Sequence, residues 1–279
     1  MNAGDVEYIA DLVRRTSGLA LKGDKAYLVE SRLSAVAREV GFASPAEMIG
    51  KMRAGEDPAV VEAITEAMTT NETFFFRDKT PFAVMEESVL PYIARKTGGR
   101  GKVRVWTAAA STGQEPYSLA ILLREQASKL GSLHFEILGT DISKRVLSKA
   151  QSGIYTQFEV QRGLSMQRLV KNFDKSGEVW QVKPELRAMA TFREFNLLED
   201  FRSLGAFDVV FCRNVLIYFD AETKRDVLER IARLMPEDGF LFLGSAETVV
   251  GITRAFKPVA GCRGLYSRSD VSVPACQAA

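Results

Sequence analysis

Histidine is nearly absent from this chain: His134 is the single one in 279 residues. Cysteine is scarce too, and Cys212, Cys262 and Cys276 form no CxxC spacing. A Cys/His metal site is therefore not expected, and no metal is assigned. His134 reads as a loop or strand-start residue rather than a catalyst. No apolar run reaches the ~18 residues that a membrane helix needs, so no membrane insertion is expected. The opening residues MNAGDVEYIADL carry early acids and lack the basic-then-apolar pattern of a secretory signal. The expectation is a cytoplasmic protein. An excess of one charge is missing as well: 37 basic against 35 acidic side chains leave a net charge of +2. That balance does not argue for a nucleic-acid partner. There is no G-x-G-x-x-G, so the dinucleotide fingerprint fails. Internal repeats and low-complexity tracts are lacking.

What is present is enough apolar material, 46% of residues, for real cores in about two domains. The stretch VRVWTAAASTGQEPYS (103–118) organises the rest. A β-rich run enters a loop of very small residues, which opens into an amphipathic helix with Leu119, Leu122, Leu123 and Leu130 at its apolar positions. This reads as the first strand, turn and helix of an open α/β sheet. Small residues let backbone approach a ligand at the carboxyl end of such a strand. A plain tight turn fits the same residues.

Residues 1–80 read as helices only. The spacing predicts a helix over 25–40 with Val29, Leu33, Val36 and Val40 on one stripe. Ser44-Pro45-Ala46-Glu47 reads as a capping box with proline at the first helical position, and Asp57-Pro58 starts a helix to about residue 68. From Arg14 to Arg38 six basic residues face only Asp24 and Glu30, although residues 1–80 as a whole are slightly acidic. Lys25 and Arg32 stand seven apart and share a helix side. A solvated face and a docking face are both open. TTNETFFFRD (69–78) fits neither a helical nor a strand period. It reads as a structured turn that buries aromatics and presents Asn71, Thr73 and Arg77, or as an ordinary apolar joint. Thr80-Pro81 then caps a helix to about residue 96.

The second unit alternates strand and helix. Strands are predicted over 135–139, 190–195, 207–211 and 239–243, with a last antiparallel one over 264–267. Residues 151–190 break the rhythm with a helix near 165–172 and a short strand near 178–182, as an inserted subdomain would. Asp141 at the tip of the second strand is placed either to accept hydrogen bonds from a ribose or, with Ser143, to cap the next helix. Asp220 caps a helix over 221–235. The resulting domain scheme is a helical unit over 1–80, a linker over 81–100, an α/β unit over 101–270 with an insert over about 156–190, and a disordered tail over 271–279.

TTNETFFFRD, VWTAAASTGQEPYS (105–118) and FDVVFCRNVLIYFD (207–220), in this order, together resemble the CheR family of chemotaxis receptor methyltransferases. LGTDISKRVLSKAQSGIY (138–155) and FNLLED (195–200) agree. The resemblance covers about residues 5–268. It implies an α/β, Rossmann-like doubly wound methyltransferase fold, an all-α N-terminal domain and a small inserted β subdomain. It implies S-adenosylmethionine (AdoMet) as cofactor and S-adenosylhomocysteine (AdoHcy) as product. The implied partners are the cytoplasmic signalling helices of chemoreceptors, whose glutamate side chains become methyl esters. By motif position, Asn71, Thr73, Arg77, Ala109, Glu115, Asp141, Asn196, Leu197, Asn214, Val215 and Tyr218 are the implied cofactor contacts. Arg77 and Tyr218 are the implied catalytic groups; Lys25 and Arg32, in the local basic excess from Arg14 to Arg38, are the expected substrate contacts, because the implied receptor helices are acidic. Members that tether to a receptor's C-terminal pentapeptide carry a Gly-rich turn in the β subdomain. The segment FDKSGEVW (173–180) is shorter and has one glycine, so a tether is not expected. DNA amino-methylating enzymes place an Asn/Asp-Pro-Pro-aromatic motif after the fourth strand, and Arg213-Asn214-Val215-Leu216-Ile217-Tyr218 lacks it.

Overall fold

The computed structural model describes residues 1–21, 26–271 and 273. Lys25 lies outside the described residues. Four helices come first: α1 (Ala3–Ser17), α2 (Ala26–Glu39), α3 (Pro45–Ala54) and α4 (Pro58–Met68). Each bears one apolar stripe, and Ile9, Leu12, Leu33, Met48 and Ile64 are fully buried between them. Asn2 and Asp5 close a reciprocal capping box on α1, and Asp57 caps α4. The box expected at Ser44 is only half formed. Ser44 accepts the Glu47 N–H, but the Glu47 carboxylate reaches one residue further back, to the Ala43 N–H at 2.9 Å.

The helix expected over 80–96 is three segments: α5 (Thr80–Val84), a π-helical turn (Met85–Val89) and α6 (Leu90–Thr97). Thr80 is its first residue rather than its cap, because Lys79 holds the cap position with φ 48°. The α/β part follows as β1 (Arg100–Ala108), α7 (Gln114–Glu125), β2 (Ser132–Asp141) and α8 (Lys144–Ser152). The inserted region holds β3 (Ile154–Thr156), α9 (Gln157–Gln161), α10 (Met166–Asn172), β4 (Phe173–Ser176), β5 (Val179–Val182) and α11 (Pro184–Arg187). Then come β6 (Ala190–Glu194), β7 (Val209–Cys212), α12 (Ala221–Arg233), β8 (Phe240–Leu243), β9 (Lys257–Pro258) and β10 (Leu265–Ser267). His134 sits exposed near the start of β2. No helix among the described residues is long and apolar enough to cross a membrane.

The main sheet runs β6-β2-β1-β7-β8-β10-β9, with the first five strands parallel and β10 antiparallel to β8. The chain winds from β1 out to β2 and β6, then returns to the other side of β1 at β7. The reversal opens a crevice at the carboxyl ends of β1 and β7. Strand periodicity sorts the two cores. Trp106, Val210 and Leu241 face the core shared with α12 and the N-terminal helices. Val105, Phe211 and Phe242 face the core shared with α5, α6, α7 and the insert. The insert is a three-stranded antiparallel sheet, β3-β5-β4, where the sequence showed one strand. Ser176 pairs with Val179, so Gly177 and Glu178 alone make the β4–β5 turn. Of the expected tail, Val271 and Val273 pack half-buried against the second core. The rest lies outside the described residues.

Candidate functional site

The crevice holds a cavity roofed by residues from the helical part. All of Asn71, Thr73, Arg77, Ala109, Glu115, Asp141, Asn196, Leu197, Asn214, Val215 and Tyr218 line it. Four strand ends contribute: Ala109 follows β1, Asp141 ends β2, Asn196 follows β6 and Asn214 follows β7. Six non-glycine residues among those described have positive φ: Phe76, Asp78, Lys79, Ala109, Ser111 and Asn214. Ala109, Ser111 and Asn214 line this cavity, and Phe76, Asp78 and Lys79 flank its Arg77. Such backbone costs about 1–3 kcal/mol per residue and persists where the surroundings enforce it, so its clustering marks a working site.

The segment 69–78 is where helical and α/β parts meet. The Asn71 carbonyl accepts the Ser111 hydroxyl at 2.8 Å, and the Phe76 N–H donates to the Ser118 hydroxyl at 2.9 Å. The three phenylalanines follow no period because each serves a different neighbour. Phe74 lies under the guanidiniums of Arg162 (4.8 Å) and Arg77 (5.7 Å). Phe75 packs edge-on against Tyr155 and Phe173 of the insert, and Phe76 against Phe82. Gly163 is where the insert crosses this segment. A Cβ there would stand 1.7 Å from the Phe75 carbonyl oxygen, at φ 93°, so no side chain fits.

Asp141 is 6% exposed. One carboxylate oxygen accepts the Ser111 N–H at 2.9 Å and the other the Ser143 N–H at 3.0 Å. Burial pushes its carboxyl above the usual carboxylate range, against the pull of these two N–H groups. Ser143, not Asp141, caps α8, by accepting the Val146 N–H. The Asn196 amide is spent on structure: it donates to the Thr16 carbonyl at 2.6 Å and accepts the Leu198 N–H at 3.0 Å. The end of α1 is thereby held against the strand ends, and Ser17 and Leu19 line the cavity. The Tyr218 carbonyl accepts the Ala20 N–H at 2.8 Å.

Sequence reasoning missed Arg213. Its side chain is 1% exposed and donates to Glu115 at 2.5 Å, to Asp78 at 2.7 Å and to the Arg77 carbonyl at 3.0 Å. It ties β7 to the start of α7 and to the 69–78 segment. Burial raises the Glu115 carboxyl, and the Arg213 guanidinium opposes that rise. Three residues of FCRN carry the same β-end signal as Asn214, but nothing in the spacing shows an arginine turned inward. Burial likewise pushes the Cys212 thiol well up, which leaves it protonated and unreactive.

Of the two expected substrate contacts, Arg32 is not among the residues that line the cavity, and Lys25 lies outside the described residues. Arg32, half-buried, turns inward and donates to the carbonyls of Ala67 (3.2 Å), Met68 (2.9 Å) and Thr69 (3.2 Å). It caps the carboxyl end of α4, where orphan carbonyls attract a cation. At least the Nη1 end of Arg32 is thus engaged within the helical part. The basic face around it is also thinner than the sequence suggested, since Arg15 pairs with Glu56 and Arg14 lies 4.0 Å from Asp220.

Comparison with known proteins bears on this geometry. Residues 4–69 match the family model described as CheR methyltransferase, all-alpha domain. Residues 71–264 match that described as CheR methyltransferase, SAM binding domain. Chemotaxis protein methyltransferase Cher2 of Pseudomonas putida is 40% identical over 259 residues, which cover 91% of this chain and 94% of that protein. Chemotaxis protein methyltransferase 1 of Pseudomonas aeruginosa is 40% identical over 269 residues, 95% of this chain and 97% of that one. A chemotaxis protein methyltransferase of Vibrio parahaemolyticus is 38% identical over 245 residues, 87% and 88% of the two chains.

Proposed function

Because this chain belongs to the CheR methyltransferase family, we propose that it transfers a methyl group from AdoMet to glutamate carboxylates on the cytoplasmic signalling helices of chemoreceptors. The product is a glutamate methyl ester. The observation that carries this reading is the convergence of every motif residue of the AdoMet-type unit on one cavity at the switch point of the sheet. The residues fit the cofactor: an acid at the β2 tip for ribose hydroxyls, small residues Ala109 and Ala110 where backbone must come close, and Phe195 and Leu197 as apolar cover.

AdoMet, when bound, supplies a methyl group already activated on a sulfonium. The incoming glutamate has a pKa of about 4.3 and is ionised at neutral pH. No general base is required, which suits a chain with one exposed histidine. The protein's work is to align the carboxylate for in-line attack and to exclude water without losing the anion. Arg77 stands in the cavity wall with its guanidinium fixed by a 2.6 Å bond to the Glu72 carbonyl. A guanidinium matches a carboxylate fork to fork, so Arg77 orients the nucleophile. Tyr218 lines the methyl path. Arg77→Ala is expected to melt cooperatively near the parent temperature and to lose about tenfold to hundredfold in turnover, the effect of a misplaced reactant. Parental turnover in that variant sinks the positioning role.

Receptor recognition falls to the helical domain, where Arg38 is exposed and Lys25 is a candidate by its charge alone, and we read the two-residue Gly177–Glu178 turn as too short for a pentapeptide tether. The test of the whole reading is incubation with methyl-labelled AdoMet and a receptor signalling fragment. Label released as methanol by base marks a carboxyl ester. Base-stable label, or none on the fragment, overturns the substrate assignment.

A further inference from the structure

Glu247 lies outside the cavity, four residues beyond the end of β8, and no motif points to it. Its carboxylate nonetheless accepts four backbone N–H groups. One oxygen takes Asn214 at 2.8 Å and Gly244 at 2.7 Å; the other takes Val215 at 3.0 Å and Ile217 at 3.2 Å. Three of these donors belong to the loop after β7 that presents Asn214, Val215 and Tyr218 to the cavity. Consecutive N–H groups turned to one point form a concave nest for an anion. Here a side chain from the neighbouring strand end occupies it.

We propose that Glu247 is a positioning residue for the methyl-transfer end of the site, the internal anion around which the loop from Asn214 to Ile217 is wound. The inference deepens the methyltransferase reading and rests on it. Asn214 holds φ 59°, a left-handed conformation that asparagine adopts more readily than other non-glycine residues. The bond from its own N–H to Glu247 holds it there. The loop has a second anchor in the Arg213 side chain, which donates to Glu115 and Asp78. Gly244 completes the arrangement. A Cβ at that position would stand 2.7 Å from the Glu247 carboxylate and 2.9 Å from the Asn214 amide nitrogen. The glycine leaves room for the carboxylate to reach all four donors. Removing the anion strands these donors, and the loop must turn them to water to recover bonds. The Asn214 side chain and the Tyr218 ring move with it.

The experiment compares the full-length parent with Glu247→Gln, which keeps the side-chain length but loses the charge and replaces one acceptor oxygen by a donor. Three quantities are read: AdoHcy affinity by calorimetry, kcat and receptor KM with labelled AdoMet, and amide hydrogen exchange. The expected result is a kcat lower by about tenfold or more, as for a misplaced reacting group, with receptor KM unchanged. AdoHcy binding weakens, and exchange quickens at Asn214, Val215 and Ile217 but not in β1 or β7. A purely structural role lowers the melting temperature and leaves kcat intact in the folded fraction. That outcome, or parental exchange at the three amides, overturns the proposal. Should Glu247→Gln not fold, Glu247→Asp, which keeps the charge and withdraws it by one methylene, is read in the same way. A parent that binds AdoHcy but methylates no receptor overturns the substrate assignment instead, and the exchange and affinity readings still decide the role of Glu247.

Discussion

Arg213→Ala is expected to lower stability by about 3–5 kcal/mol, the penalty for breaking a buried ion pair from one side, and to abolish methyl transfer. The guanidinium is 1% exposed and has Glu115, itself 13% exposed, at 2.5 Å. Truncation leaves that carboxylate buried without its cation. It also frees Asp78 and the Arg77 carbonyl, the contacts that hold the 69–78 segment over the β7 end. Burial already raises the Glu115 carboxyl, so without Arg213 the group takes up a proton rather than stay charged. Urea unfolding followed by calorimetry of AdoHcy binding checks both effects. A double variant separates them. Arg213→Met with Glu115→Met replaces the pair by apolar side chains of similar length, which is commonly neutral for stability. It should recover most of the loss in folding and none of the turnover. An Arg213→Ala protein that unfolds like the parent refutes the joint described here.

The fold was largely readable because its signals are local. Ser44, Asp57 and Asp220 announce helix starts, and alternation in VRVW and VVFC sorts strand residues between two faces. The π-helical turn at Met85–Val89 was not readable, since its residues have the same apolar pattern as an α-helix. Strands β3 and β4 are three and four residues long, and Phe173-Asp174-Lys175-Ser176 has one apolar residue where β5 has three. At the site, the family resemblance named the lining residues, and only Ala109, Asp141, Asn196 and Asn214 among them sit at strand ends. Arg32, Arg213 and Glu247 escaped for one shared reason. Each is a charged residue whose partners are backbone groups or acids from distant segments, and a charge in sequence looks the same whether it faces water or carbonyls. Arg32 shows the consequence: its spacing from Lys25 is right for a shared face, yet three carbonyls at the end of α4 claim it.

Asp141→Asn is expected to weaken AdoHcy binding by roughly 1.5–3 kcal/mol, the worth of hydrogen bonds to a charged group, or about one to two orders of magnitude in Kd. A carboxylate offers about four acceptor sites. Two are taken by the N–H groups of Ser111 and Ser143, which leaves two for a pair of ribose hydroxyls. An asparagine keeps one acceptor oxygen and turns an NH₂ toward one of those N–H groups. The pH dependence is the sharper check. Burial raises the Asp141 carboxyl above the ordinary carboxylate range. The charged form accepts the hydroxyls, so affinity should fall as pH is lowered through that raised value and stay level above it. Folding stability runs the other way for this group. A raised folded pKa means the native state holds the proton more tightly than the unfolded chain. Its contribution is therefore full at low pH and is lost as pH rises through the same window. Calorimetry of the parent across that window should show binding strengthen while thermal stability gives up this increment, and Asp141→Asn should remove both slopes. Equal AdoHcy affinity in parent and variant at neutral pH removes the ribose from Asp141 and leaves it only as the bridge between Ser111 and Ser143.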